Sequence, residues 1–202
     1  MFKQPILIAS NNLDKTAELI KCFKDFKISA ESYQNVITRL HFPNEGTTSY
    51  LNNARQKATF IFQKLPDESV LGDDSGMIVA AYPDKFGVQT SRQLSNYPSD
   101  ADKNHYLINL VNGRSRQVTL RTDLILCVAD HRVYHGLGVF EGTFNTTERG
   151  NNGYGFDKIL IPLGETQTLA EMTDTEKTPY LHRTKAIQNL LEKVAQNEYE
   201  HF

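Results

Sequence analysis

A chain of 202 residues with a formal net charge of -2 has room for one medium domain, or two lobes sharing a core, and needs no disulfide to hold it. The charge balance gives no bulk basic character, so nucleic acid is not an indicated partner. No stretch approaches a membrane span, the apolar run in the first nine residues is too short for a signal peptide, and Cys22 and Cys127 lack CxxC or zinc-ligand spacing. The expectation is a cytoplasmic protein with two buried thiols in a reducing compartment.

Pro5 to Ala9 is apolar throughout and reads as a buried first strand ending in Ser10-Asn11-Asn12. A helix follows from about Leu13, with Leu19, Ile20 and Phe23 at helical spacing and Asn12 or Asn11 as its N-cap. A polar stretch covers residues 32–48. The next helix carries the apolar stripe Leu51, Ala54, Ala58, Ile61, Phe62 and Leu65, and Pro66-Asp67 ends it. Two short strands are expected on either side of Asp73-Asp74-Ser75-Gly76, the first over residues 69–72 and the second over residues 77–81. Residues 82–98 read as a long loop.

Ser99 opens another helix, with Asp102 three residues on as an approximate capping box. Tyr106, Leu107, Leu110 and Val111 are its apolar face, and Gly113 stops it. Val118, Leu120, Thr122 and Leu124 alternate with polar residues as in a half-buried strand. A turn over residues 129–132 leads to a returning strand over residues 133–144. A glycine-rich turn over residues 150–157 precedes a short strand at residues 159–161. The last helix is expected from about Pro179, with Ala186, Ile187, Leu190, Leu191 and Val194 on one face. Helical crossovers and a long hairpin together predict an α/β domain with a mixed sheet.

Asp73-Asp74-Ser75-Gly76 holds the most chemistry. Two adjacent carboxylates beside buried apolar runs are costly unless something pairs with them, and a divalent metal is a natural partner. Neighbouring strand residues point to opposite faces, so only one of the two aspartates faces a given site. The plain alternative is an Asx turn. Ser10, Asn12 and Lys15 sit where a strand turns into a helix, a place that favours an anion through its free N–H groups. It is not a Walker loop, and an ordinary capped helix is the plain alternative. Asn53 and Lys57, four apart, share one helix face; such a lysine either enters a cleft or snorkels to water. Glu45, just before that helix, is a candidate second acid for a metal. Tyr154, Gly155, Phe156 and Asp157 offer close backbone approach and a stacking aromatic, or simply a tight turn with core aromatics. Lys177, His182 and Arg183 cluster near a helix start, as readers of an anionic or oxo-bearing ligand or as exposed residues there.

In order and content these segments resemble the inosine/xanthosine triphosphate pyrophosphatases, house-cleaning enzymes of nonstandard purine nucleotides. The resemblance runs from about Ile6 to Leu191. It rests on residues 10–15 with Glu18, the Asn53-Ala54 to Lys57-Ala58 helix, the double-aspartate motif, the loop from Gly87 to Arg92, residues 153–157, and Lys177 with His182-Arg183. It implies an elongated mixed α/β fold with two lobes around a central cleft, a Mg²⁺ requirement and a homodimer. It implies hydrolysis between the α and β phosphates, giving a monophosphate and pyrophosphate. Asp74 would then hold or orient Mg²⁺ and accept the proton of the attacking water, with Glu45 as the second acid. Ser10, Asn12, Lys15 and Lys57 would neutralise the phosphates and the developing charge on the leaving group, and Asn53 and Ser75 would also bind substrate. Arg92, Tyr154, Gly155, Phe156, Asp157, Lys177, His182 and Arg183 would serve the rest of the substrate.

The chain departs from that pattern. Leu181 stands where serine is usual, Lys158 where proline is usual, Gln89 where an aromatic is usual, and Asn52 where glutamate is usual. Glu45 is placed only by counting back from Asn53-Ala54. These changes bear on base selectivity and dimer contacts and leave the phosphate and metal end largely intact. A pyrophosphatase for other modified nucleotides, or a nucleotide-binding protein without turnover, are the alternatives. The intact acids and lysines argue against the second.

Overall fold

A computed structural model describes residues 4–201. The expectation drawn from the first nine residues touches 1–3, which lie outside this range. The chain forms two compact units: residues 1–75, 122–138 and 183–202 in the first, and 76–121 with 139–182 in the second.

In the first unit, β1 (Ile6–Ile8) lies parallel to both β2 (Ala30–Ser32) and the start of β3 (Val70–Val79), with Ile6 opposite Ala30 and Leu7 opposite Val70. The crossovers are the helices α1 (Leu13–Asp25) and α2 (Tyr50–Phe62). The run from Ile6 to Ala9 is apolar throughout because both its faces are covered, as parallel strands require. Ile6 and Ile8 pack with Leu19 and Phe23 of α1 and with Ala186, Ile187 and Leu190 of α6 (His182–Gln196). Leu7 and Ala9 pack with Ala54, Ala58 and Ile61 of α2. Cys22 and Cys127 are free and buried, and burial pushes their thiols up to about 11 and about 12. Both stay protonated at neutral pH.

The second unit has its own core. Met77 and Val79 of β3, Phe86 of β4 (Tyr82–Gly87), and Leu107 of α4 (Asp100–Leu110) with its C-cap Val111 pack with Val118 and Leu120 of β5 (Gln117–Cys127) and with Phe140 and Phe144 of β6 (Arg132–Phe144). Its remaining elements are the short helices α3 (Thr90–Gln93) and α5 (Asp174–Lys177) and the strand β7 (Leu160–Pro162). The sheet order is β2-β1-β3-β5-β6-β7, with β4 beside β3 and β8 (Glu200–His201) beside β6. Parallel and antiparallel neighbours coexist, so the fold is mixed α/β, as the pattern of the sequence predicts. Among the described residues no helix is long and apolar enough to cross a membrane.

Several elements differ from expectation. The double-aspartate motif is not a turn between two strands: β3 runs through it without a break. Residues 82–98 are not all loop, because their first part pairs with β3 as β4. Pro179 lies in a 3-10 turn, and α6 begins at His182. The polar stretch after residue 32 is preceded by a short parallel strand, β2, that its composition does not announce.

Gly72 explains how a strand so rich in acids can lie under a helix. A Cβ there would stand 2.1 Å from the Ala54 carbonyl oxygen and 2.7 Å from the Ala58 nitrogen, both backbone atoms of α2. Gly72→Ala should therefore push α2 off the sheet. We expect a loss of about 2–3 kcal/mol, at the upper end of ordinary overpacking because neither backbone can yield. The urea midpoint measures it; an unchanged midpoint would show that the helix gives way freely.

Candidate active site

The first unit gathers the acids and lysines. Strand alternation sends Asp73 toward α1 and Asp74 toward α2, and each finds a different partner. Lys15 Nζ lies 3.4 Å from Asp73 Oδ2. Asn53 donates through Nδ2 to Asp74 Oδ2 at 2.9 Å. Lys57 Nζ lies 3.1 Å from Glu45 Oε1 and 3.9 Å from Asp74 Oδ1, so one ammonium joins the two carboxylates. Asn53 also holds the segment that carries Glu45, exchanging hydrogen bonds with the N–H and carbonyl of Gly46.

Two neighbouring carboxylates in opposite environments have opposite proton affinities. Burial alone would raise Asp73, but Lys15, Lys57 and Arg183 outweigh it and hold this carboxyl well below the usual range. Burial dominates at Asp74 and raises it, against the pull of Lys57, Asn53 and Lys15. Lys57 is raised: burial would lower it, but Asp73, Asp74 and Glu45 together prevail. Asp73 is thus a fixed anion, and Asp74 is the better proton acceptor of the two.

The start of α1 is built as its sequence implies. Asn12 is the N-cap, accepting from the Lys15 N–H at 3.0 Å, and Ser10 Oγ accepts from the Asn12 N–H at 3.1 Å. Ser75 Oγ lies 2.9 Å from Thr122 Oγ1 and 3.5 Å from Asp73 Oδ2, while the Ser75 N–H donates to Asp74 Oδ1 at 3.0 Å. Arg183 belongs with this group: its Nη1 donates to Glu18 Oε1 at 2.8 Å, and its charge reaches Asp73.

The second unit holds another set. Lys177, buried at the end of α5, sends Nζ to the Asn152 carbonyl at 3.0 Å and to Asp157 Oδ2 at 3.3 Å. Tyr154 is 55% exposed. Gly155 has φ +60°, a conformation that favours glycine. Phe156 packs against the unit's core. Arg92 is exposed on α3, and His182 is the first residue of α6. Lys177 and Asp157 pair in this unit, and Arg183 pairs with Glu18 in the first unit.

The residues present suit a hard divalent cation. The donors are all oxygens, and Asp73 Oδ1 is buried yet accepts no hydrogen bond. Three carboxylates (Asp73, Asp74 and Glu45) face two ammonium groups, Lys15 and Lys57. Among the described residues no group of three or more His, Cys, Asp or Glu is placed to hold a metal ion. Mg²⁺ can be held by fewer, since it keeps waters and uses one or two carboxylates with substrate phosphates.

Two features escape the sequence reading. The buried carboxylate of Asp123 lies 2.7 Å from His135 Nε2, joining β5 to β6. Asp100 and Asn104 of α4 both bond to Gly155. Asn104 carries a visible signal, a polar residue on the same stripe as Leu107 and Val111. The Asp123–His135 pair spans two strands and has no local signal.

Known proteins similar to this chain give its family. A relative from Limosilactobacillus reuteri, a dihydroneopterin triphosphate diphosphatase, is 41% identical over 194 residues, spanning 96% of this chain and 100% of its own. A dITP/XTP pyrophosphatase from Nautilia profundicola is 32% identical and spans 95% of this chain and 99% of its own. The solved structure of the Staphylococcus aureus Ham1 protein superposes with a TM-score of 0.78 at 25% identity, covering 96% of this chain and 100% of that one. The Ham1 family model matches residues 6–193, and the chain belongs to the Ham1 family.

Proposed function

We propose that the protein is a Mg²⁺-dependent pyrophosphohydrolase that cleaves nonstandard purine nucleoside triphosphates (ITP, dITP and XTP) between the α and β phosphates. The observation that carries this reading is the pair of unlike aspartates. Asp74, with its raised proton affinity and its Asn53 and Lys57 contacts, takes the proton of the attacking water. Asp73 stays ionised and holds Lys15. Lys15 and Lys57 neutralise phosphate charge as it builds on the leaving pyrophosphate. Asp74 and Glu45 would hold Mg²⁺, which when bound neutralises phosphate charge and orients the substrate. The base end would use Tyr154 for stacking, with Asp157 and Lys177 as polar readers. The reading takes the enzyme as a cytoplasmic homodimer; light scattering at working concentration tests the dimer.

A second substrate is favoured by one observation. The relative at 41% identity acts on dihydroneopterin triphosphate, and this chain departs from the commoner pattern at Gln89, Lys158 and Leu181. A dihydropterin shares with hypoxanthine a ring carbonyl beside a ring N–H. The same phosphate end would serve it.

The test is a panel of ITP, dITP, XTP, dihydroneopterin triphosphate, GTP and ATP with Mg²⁺, scored separately for pyrophosphate and orthophosphate. Pyrophosphate as the first product, abolished by chelator and restored by Mg²⁺, is expected. Orthophosphate first would reject the reaction. Replacing Lys15 or Lys57 by alanine should each cost about 1.5–3 kcal/mol of transition-state stabilisation, the scale of a charged hydrogen bond. That is roughly ten- to hundred-fold in kcat/KM. A loss confined to KM would mean that these lysines only bind.

A further inference from the structure

Helix α4 holds the peptide of Gly155 from both sides. Asp100 Oδ2 accepts from the Gly155 N–H at 2.8 Å, and Asn104 Nδ2 donates to the Gly155 carbonyl at 3.0 Å. The two residues are four apart and so share one helix face. Asp100 sits in the first turn, behind a capping box of Ser99 and Asp102 that fixes where the helix begins. Asn104 is 1% exposed, and the same Nδ2 donates to Glu148 Oε1 at 2.6 Å.

The orientation of the Asn104 amide is forced. Its nitrogen faces two acceptors, so turning it over would set oxygen against oxygen. The consequence is a buried Oδ1 with no hydrogen bond, which costs free energy. A residue serving packing alone would be better as an apolar side chain on this stripe beside Leu107 and Val111. The amide is retained at that cost where it grips a glycine at φ +60°, between Tyr154 and Phe156.

We infer that Asp100 and Asn104 are positioning residues that fix the turn of residues 154–157 and thereby set recognition of the substrate's ring system. This takes from the proposed function that the turn faces the base. Neither side chain is among the groups proposed for the phosphates. Loosening the clamp should raise KM and erode ring selectivity while leaving kcat largely in place.

The test has one arm independent of activity. Hydrogen exchange at residues 153–157 should quicken by about tenfold in Asn104→Ala, the scale of one lost hydrogen bond, with exchange in α1 and α2 unchanged. In the second arm Asn104→Ala and Asp100→Ala should each raise KM for the preferred triphosphate by about tenfold with kcat within about threefold, and narrow its margin over ATP. Asp100→Asn keeps an acceptor oxygen and should restore the wild-type KM. If Asn104→Ala does not fold, Asp100→Ala carries both arms, since its side chain is half exposed. Unchanged exchange and unchanged KM would overturn the inference, as would a fall in kcat alone. Faster exchange with no selectivity change for any ring would keep the clamp but reject the placement of the base on this turn.

Discussion

Asp74→Asn should fold normally and lose about two to four orders of magnitude in kcat, the usual range for removing a general base. The amide cannot take the proton of the attacking water and is a weaker ligand for Mg²⁺. It can still accept the hydrogen bond from Asn53 Nδ2 that the carboxylate accepts now. The folded state should not suffer. Burial raises Asp74, so folding disfavours its charged form, and the stability linked to it is lost as pH rises through its folded pKa. At neutral pH a neutral side chain there removes that penalty. Asp73→Asn is the contrasting variant. Asp73 is held low despite its burial, by Lys15, Lys57 and Arg183. Its stabilising contribution is therefore complete above the ordinary aspartate value near 4 and is lost as pH falls below it. Urea unfolding between pH 3 and 7 should show a wild-type acid slope that Asp73→Asn flattens, with lower stability at pH 7. Asp74→Asn should match or exceed wild-type stability at pH 7. Wild-type turnover in the Asp74 variant, or equal acid slopes in wild type and Asp73→Asn, would show that the two carboxylates are wrongly assigned.

The chemistry of this end was legible because it is local. Asp73-Asp74 between apolar runs declares two buried acids, and alternation alone says that they part company; the structure sends one to Lys15 and the other to Asn53. Asn53 and Lys57 share a face because helix geometry gives them no choice. Glu45 could only be counted into place, since the polar segment before α2 has no periodicity to read. Its carboxylate stands on Lys57 because Asn53 ties down Gly46 beside it. What could not be read is non-local. β4 was hidden because Tyr82 to Gly87 contains Pro83 and Asp84 and alternates poorly; its pairing with β3 makes it a strand. The unbroken course of β3 depends on Gly72 and Gly76 admitting neighbouring backbone, a property of the packed structure. Arg183 follows His182 in sequence, yet its partner is Glu18, 165 residues away.

The last expected result concerns the ring. Hypoxanthine, xanthine and dihydropterin all place a carbonyl beside a ring N–H; adenine places an amino donor beside a bare ring nitrogen. Asp157 is an acceptor and Lys177 a donor, and they stand 3.3 Å apart in one unit beside the exposed Tyr154. A carbonyl with its N–H neighbour suits such a pair, whereas adenine sets donor against donor and leaves buried groups unpaired. A site reading a ring edge through hydrogen bonds can reject the reversed edge by about four orders of magnitude. ITP or dihydroneopterin triphosphate should therefore exceed ATP in kcat/KM by about a thousand-fold or more. GTP shares the carbonyl and N–H, so its margin should be smaller. Asp157→Ala should narrow the margin over ATP, and Lys15→Ala should not, because Lys15, paired with Asp73, is proposed to serve the phosphates alone. Arg183→Ala separates two roles for that guanidinium. If it donates to the ring carbonyl, its loss narrows the margin over ATP more than loss of Lys15 does. If it serves only Glu18 and the field at Asp73, all substrates fall together. Equal use of ATP and ITP by the wild type, with dihydroneopterin triphosphate no better, would refute recognition of the carbonyl edge altogether.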